Sequence, residues 1–426
     1  MAIEVPAAKD FGPVTLHTVN TVKYKTNTVV LKFEAPLTEE SVTKRALLAY
    51  VLQKATEHSP TAKDLRRRLN DLYGASLSAQ LSKKGDRHVI SFKMEVANEK
   101  YLSDSTPLLE KALRLLAEVV LKPKLTGNGF DEEIVAKEKR TLKQRIQSVR
   151  DDKMRYANSR LLEEMCKGEP FRLHPYGEEN KVDSVSAETL ATYYRELLSS
   201  NKIDLFIVGD IDEQEVESIV SDAFPFPDQS AKPQPETISA SEVKEEQVII
   251  EEEDIEQGKL NLGYRTYTTY ADDEYYALLV FNGILGGFPH SKLFINVREK
   301  ASLAYYASSR LETHKGLLLV FSGIQSSNYE KAVTIIKEQT EKMRQGDFSD
   351  EEFQQTKAML KNQILETVDN PRGIIEFFYN GISTGCERSV DEWIAGVDGV
   401  SKEDVIRIAK KVKLDTTYFL KGKEGS

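Results

Sequence analysis

Six histidines and two cysteines are the only imidazole and thiol groups in this 426-residue chain, and their spacing works against a metal site. A zinc held on one helix face needs two histidines four residues apart, so that both rings reach the ion from the same side. Here His17, His58, His88, His174, His290 and His314 all lie more than five residues from one another. Cys166 and Cys386 are distant in sequence and no Cys-x-x-Cys exists, which removes a local zinc knuckle. His58, beside Glu57, is a lone histidine, and a structural role is the better reading of it. There is no His-Glu-x-x-His, and neither cysteine is paired with a histidine by motif, so these patterns give no support to a self-sufficient hydrolase.

The residues that could do chemistry are Arg298 and Tyr305, in the run Arg298-Glu299-Lys300-Ala301-Ser302-Leu303-Ala304-Tyr305. A guanidinium and a phenol hydroxyl are suitable donors to a carbonyl oxygen that becomes negative during attack by water. Taken alone, the pair reads equally well as a salt bridge and a packed ring. The run, however, closely follows the Arg-Glu-x-x-x-Leu-Ala-Tyr signature of the pitrilysin/insulinase-type inverted-zincin metallopeptidases. Leu285-Gly286-Gly287 before Ser291-Lys292-Leu293-Phe294, His174-Pro175-Tyr176-Gly177, and Val208-Gly209-Asp210 extend the resemblance over nearly the whole chain.

Where that family carries its His-x-x-Glu-His zinc helix, this chain has Tyr50-Val51-Leu52-Gln53-Lys54. The resemblance places Tyr50 and Lys54 at two ligand positions and Gln53 at the general base. A lysine ammonium repels a divalent cation, and a glutamine has no proton affinity near neutral pH. The family's third ligand, a Glu seven residues after another acidic position, falls on Arg145 when counted from Glu138. The chain thus resembles the zinc-less subunit of the bacterial members that pair two chains, described in Gram-positive bacteria as inactive metalloproteases. That implies no metal or other cofactor here, a zinc-bearing homologous partner, and a peptide substrate. It also implies that Arg298 and Tyr305 act in trans at the partner's zinc site. Tyr306 is adjacent, but the spacing favours Tyr305. Gly286 and Gly287 read as a plain turn, and the resemblance adds a role in substrate entry. His174-Pro175-Tyr176-Gly177 reads as a structural turn. The alternative implied by the same resemblance is a structural or assembly protein, like the inactive core subunits of the respiratory bc1 complex.

Composition narrows the classes further. The formal net charge is −10, with acids and bases interspersed, which argues against a nucleic-acid-binding protein. No apolar run approaches the roughly 18 residues of a membrane span. The start Met1-Ala2-Ile3-Glu4-Val5-Pro6 lacks the basic and apolar regions of a signal peptide, and with two cysteines the expected location is a reducing cytoplasm.

The elements that must position these residues occur twice. Ala46-Leu47-Leu48 and Ala277-Leu278-Leu279 lie in apolar helix-like stretches; Phe130-Asp131-Glu132-Glu133 matches Phe348-Ser349-Asp350-Glu351-Glu352; Val185-Ser186-Ala187-Glu188 matches Val400-Ser401-Lys402-Glu403. Their common order predicts an internal duplication. The expected fold is α+β: two homologous domains, each an antiparallel-rich sheet packed with helices and together forming one half of a clamshell. The expected domains are residues 1–224 and 248–426, joined by a proline-rich linker at 225–247. Ser186 and Ser401 should cap helices, Ser401 with Asp404 in a capping box. Thr28–Phe33 should be a strand, and Val89–Val96 a half-buried antiparallel one, because its apolar and polar residues alternate. The acidic run Glu251-Glu252-Glu253-Asp254 reads as a solvated surface face.

Overall fold

The computed structural model of the chain describes residues 5–103, 106–227, 242–243 and 245–422. Much of the expected linker, at 228–241 and 244, lies outside the described residues. The first sheet contains β1 (Ala7–Phe11), β2 (Val14–Asn20), β3 (Thr26–Pro36), β4 (Ser76–Lys84), β5 (Arg87–Ala97) and β6 (Lys202–Gly209). Their order across the sheet is β1-β2-β6-β3-β5-β4. The second contains β7 (Gln247–Glu253), β8 (Gly258–Arg265), β9 (Ala304–Glu312), β10 (Leu317–Ile324) and β11 (Lys413–Gly422), in the order β9-β10-β8-β11-β7. Read from its other edge, the second sheet repeats the order of the first after β1. Each sheet has one parallel pair, β2 with β6 and β7 with β11, and is otherwise antiparallel. The α+β duplication is therefore present in strand order and strand sense.

The helices follow the same repeat. In the first half α1 (Val42–Val51), α2 (Glu132–Asp151), α3 (Lys153–Met165) and α4 (Ala187–Ser200) correspond to α5 (Tyr275–Asn282), α6 (Asp350–Thr367), α7 (Pro371–Thr384) and α8 (Lys402–Lys411). The capping boxes form as their sequences dictate. Ser186 accepts from the Thr189 N–H, and Ser401 from the Asp404 N–H, while each third residue's side chain returns a bond to the cap backbone.

Each half covers the other half's sheet. Helix α2 ends at Asp152, whose carboxylate accepts from the N–H groups of Met154 and Arg155 and so starts α3 in a new direction. Helix α7 starts in the same way at Asn370-Pro371, with Asn370 accepting from the Gly373 N–H. Helix α3 crosses onto the second sheet, where Ala157, Leu161 and Met165 share a core with Leu317, Leu319, Tyr418 and Leu420. It packs so closely that a Cβ on Gly263 of β8 would lie 2.5 Å from the Met165 sulfur. In return α7 covers the first sheet, where Val30, Val89, Phe206 and Val208 join the core containing Ile374, Ile375 and Phe378. This corrects the expectation for Val89–Val96. The strand is buried on both faces, including Ser91 and Lys93, because a helix from more than 270 residues away lies over its polar side.

The acidic run is also more than a solvated face. Glu251 accepts from Arg160 and Tyr156 of α3 and from Tyr418, and Glu253 pairs with Lys153 at 2.9 Å, so these members of β7 hold the crossing helix. Deeper between the halves, Arg265 pairs with Glu169 at 2.7 Å and Asp415 at 2.9 Å. Lys315 pairs with Asp86 at 2.6 Å and with the same Glu169 at 2.9 Å.

Three histidines, one buried (His88) and two half-buried (His174 and His314), make this fold acid-sensitive. Burial pushes His174 down to about 4 and His314 to about 3, and it holds His88 well below the ordinary histidine range. In the unfolded chain each takes up a proton near pH 6.5, whereas in the folded chain it stays neutral until far lower pH. Protons are therefore bound preferentially by the unfolded state, and stability is lost as the pH falls from about 6.5 towards 4. The urea midpoint should drop between pH 7 and 5, before most carboxylates titrate. A midpoint unchanged over that interval would contradict this assignment.

Candidate functional site

The stretch that the resemblance aligns with a zinc motif is the end of α1 and the turn after it. Tyr50 lies in the last turn of the helix, with Gln53 and Lys54 just beyond it. Helix α2 runs alongside and places Glu138 and Arg145 against them, as the counted register implies. The Arg145 guanidinium stacks on the Tyr50 ring, 4.6 Å from its centroid, and Lys54 Nζ lies 3.4 Å from the buried Glu138. Burial pushes the Tyr50 hydroxyl up to about 12, with Arg145 acting in the opposite direction. Gln53 donates to the Ala49 carbonyl at 2.7 Å and accepts from the Ala79 N–H of edge strand β4 at 2.9 Å. Two cations, a protonated phenol and an amide do not fit a divalent metal. Their partners make this a cross-braced structural cluster. Among the described residues no group of three His, Cys, Asp or Glu side chains could hold a metal ion, and His58 is exposed.

The loop His174–Gly177 forms a turn, closed by Gly177 N–H donating to the His174 carbonyl at 2.9 Å. Gly177 has φ +77°, and a Cβ there would fall 2.4 Å from Thr43 Oγ1, so the turn sits directly on the start of α1. This brings Tyr176 beside Tyr50.

The second cluster lies in the other half. Gly286 and Gly287 are not in a plain turn: residues Gly283–Gly287 continue α5 as a π-helical turn, and Phe294–Lys300 forms another. The turn packs close to β9 and needs glycine there, because a Cβ on Gly286 would lie 2.8 Å from the Ser309 backbone nitrogen. Gly286 is buried, whereas Gly287 is exposed. Arg298 is exposed at the end of the second π turn, with its guanidinium over the Phe294 ring at 4.5 Å. The chain then turns through Ser302, whose φ of +51° is uncommon for a residue other than glycine.

Tyr305 follows at the start of β9, an edge strand. Ala304 pairs with Ile324 and Tyr306 with Gly323, so Tyr305 is the extra residue of a β-bulge. Its side chain is 66% exposed. Among the described residues no ion pair to Arg298 and no hydrogen bond to the Tyr305 hydroxyl is formed, so neither has the salt-bridge or core role open to it from sequence. Tyr306, by contrast, is half-buried, and burial pushes its hydroxyl up to about 12. No hydrogen bond or ion pair joins Arg298 or Tyr305 to the Tyr50–Arg145 cluster.

A cavity of about 620 Å³ opens beside that first cluster. Tyr50, Arg145, Tyr176 and residues 78–82 of β4 form one side, and Lys32, Lys93, Arg372 and Glu376 come from β3, β5 and α7. These last four could not be found by local motif, since three elements from both halves supply them. The sequence also holds a Gly-x-Ser-x-Gly spelling that motif reasoning missed, Gly381-Ile382-Ser383-Thr384-Gly385. Ser383 lies 3.3 Å from His314 Nε2. It is buried near the end of α7, not on a strand-to-helix turn, and His314 is held neutral by burial. It does not make a nucleophile elbow.

Comparison with known proteins agrees with this geometry. Residues 184–360 match the family model described as Peptidase M16 inactive domain. The chain is 52% identical over 415 residues to the Probable inactive metalloprotease YmfF of Bacillus subtilis (strain 168), covering 97% of each. A crystal structure of a conserved protein from Enterococcus faecalis V583 superposes with a TM-score of 0.91 at 34% identity, over 99% of this chain and 100% of that one. The peptidase M16 inactive domain from Pseudomonas fluorescens gives a TM-score of 0.78 at 16% identity over 98% of both chains, a likeness of fold.

Proposed function

The chain belongs to the peptidase M16 family of pitrilysin/insulinase-type metallopeptidases, as a homologue of its inactive members, and from that premise we propose that it is the zinc-less subunit of a two-chain peptidase. It binds and orients a peptide and supplies Arg298 and Tyr305 to the zinc site of a homologous partner. The observation that carries this reading is the state of those two residues. A bulge presents at a sheet edge a phenol with no hydrogen-bond partner among the described residues, and a left-handed turn separates it from a guanidinium that forms no ion pair among them and rests on the Phe294 ring. Neither side chain is needed to hold the fold, and such donors are the kind that an acyl-transfer oxyanion requires. Of the glycine segment, Gly287 is the part available to an incoming peptide, while Gly286 serves the packing of β9.

The test is reconstitution with a zinc-bearing homologue of the family. Size-exclusion chromatography should show a one-to-one complex, and peptide turnover should arise with the complex. A homologue fully active alone, with no complex on the column, contradicts the proposal.

A further inference from the structure

Although the chain carries a net charge of −10, the cavity beside the end of α1 is strongly cationic. Lys32 and Lys93 are buried, and the exposed Arg145 and Arg372 stand at its mouth. The carboxylates within reach are too few to neutralise them. Glu376 is already shared by Lys32 at 2.6 Å and Lys84 at 3.3 Å. Glu95 lies 3.4 Å from Lys93 and 3.5 Å from Arg372. Among the described residues Arg145 has only the face of Tyr50. The Lys93 side chain is 7% exposed, and among the described residues its ammonium donates no hydrogen bond. A buried ammonium with one long ion pair and no hydrogen bond is poorly compensated, and an anion entering the cavity would reduce that cost.

The geometry points to a carboxylate site: this cavity takes a carboxylate of an acidic peptide, with Lys93 and Arg145 as its donors. This rests on the peptide-binding reading and adds a substrate class to it. The occupant is a peptide and not a free small anion because β4 forms one wall and is the sheet's edge, so an extended chain can run beside the backbone there that lies beyond the Ala79 N–H held by Gln53. An arginine at position 145 both excludes a divalent cation from the old ligand position and offers a planar fork to a carboxylate.

The experiment is fluorescence anisotropy of the full chain with four labelled ten-residue peptides of one sequence. They end in a free carboxylate or an amide, and carry Glu or Gln at their acidic positions. At low salt the peptides with carboxylates should bind about tenfold or more tightly than the neutral amide. The preference should shrink as salt is raised. The two chemical sources are separated by whether the terminal or the side-chain change removes it. Arg145→Gln and Lys93→Met should each abolish the preference of the carboxylate peptides over the neutral amide. Lys93→Met should also keep or raise the urea midpoint, because it removes a buried ammonium; a purely structural lysine would lower it. Equal binding of all four peptides overturns the carboxylate site and leaves the peptide-binding reading intact. Binding of inorganic phosphate with no peptide bound overturns the peptide assignment. Failure of the chain to bind any peptide, alone or in the reconstituted pair, is instead the failure of the parent reading.

Discussion

Tyr305→Phe should lower the turnover of the reconstituted pair by roughly 10²–10³-fold, the effect of removing one oxyanion donor. The substitution deletes a hydroxyl that has no hydrogen-bond partner among the described residues and leaves the ring in a bulge where the residue is 66% exposed. Folding and complex formation should therefore be unaffected. The loss should fall mainly on kcat, because the hydrogen bond strengthens only as charge develops on the oxygen. Arg298→Lys should also be harmful, since an ammonium cannot reproduce the planar two-pronged donor. Steady-state kinetics alongside a sizing column separates these effects from misassembly. An unchanged kcat in a fully formed complex would leave the chain as scaffold, as in an assembly protein.

The largest effect on stability is expected at Glu169. This carboxylate is shared by Arg265 and Lys315, whose side chains are 2% and 1% exposed. Removing one partner of a buried ion pair costs about 3–5 kcal/mol, because the remaining charge stays buried. Glu169→Gln should lie near the lower end, about 3 kcal/mol, because Asp415 and Asp86 still hold the two cations. Because the network lies where α3 crosses onto the other half's sheet, unfolding should remain a single transition with a lower urea midpoint. Glu40→Gln is the control: its pair with Lys44 is 89% exposed on the acid side and should change stability by less than about 0.5 kcal/mol. Equal midpoints for the two variants would show that the network contributes no more than a surface pair.

What could be read from sequence was what local chemistry decides. Ser186 and Ser401 announced helix starts because a hydroxyl or carboxylate three residues apart satisfies free N–H groups in any context. The closeness of Tyr50 and Arg145 was legible from helical register, and the structure stacks Arg145 on Tyr50. The exchange of α3 and α7 was not legible. Asp152 and Asn370-Pro371 mark breaks, but a helix's periodicity does not say which sheet it will cover. For the same reason the alternation in Val89–Val96 suggested a wet face that α7 in fact buries. The bulge at Tyr305 has no glycine or proline to signal it, and the need for glycine at 286 comes from contact with β9. The cationic cavity was hidden for a related reason. Lys32 and Glu376 lie 344 residues apart in sequence and 2.6 Å apart in space.

The most direct measurement is peptide turnover as this chain is titrated into a fixed amount of its zinc-bearing homologue. The account predicts little activity from either chain alone, a rise that saturates at one equivalent, and no such rise when the titrated chain carries Tyr305→Phe. Activity of the homologue that is already maximal without this chain, or a rise that Tyr305→Phe supports equally well, would contradict it.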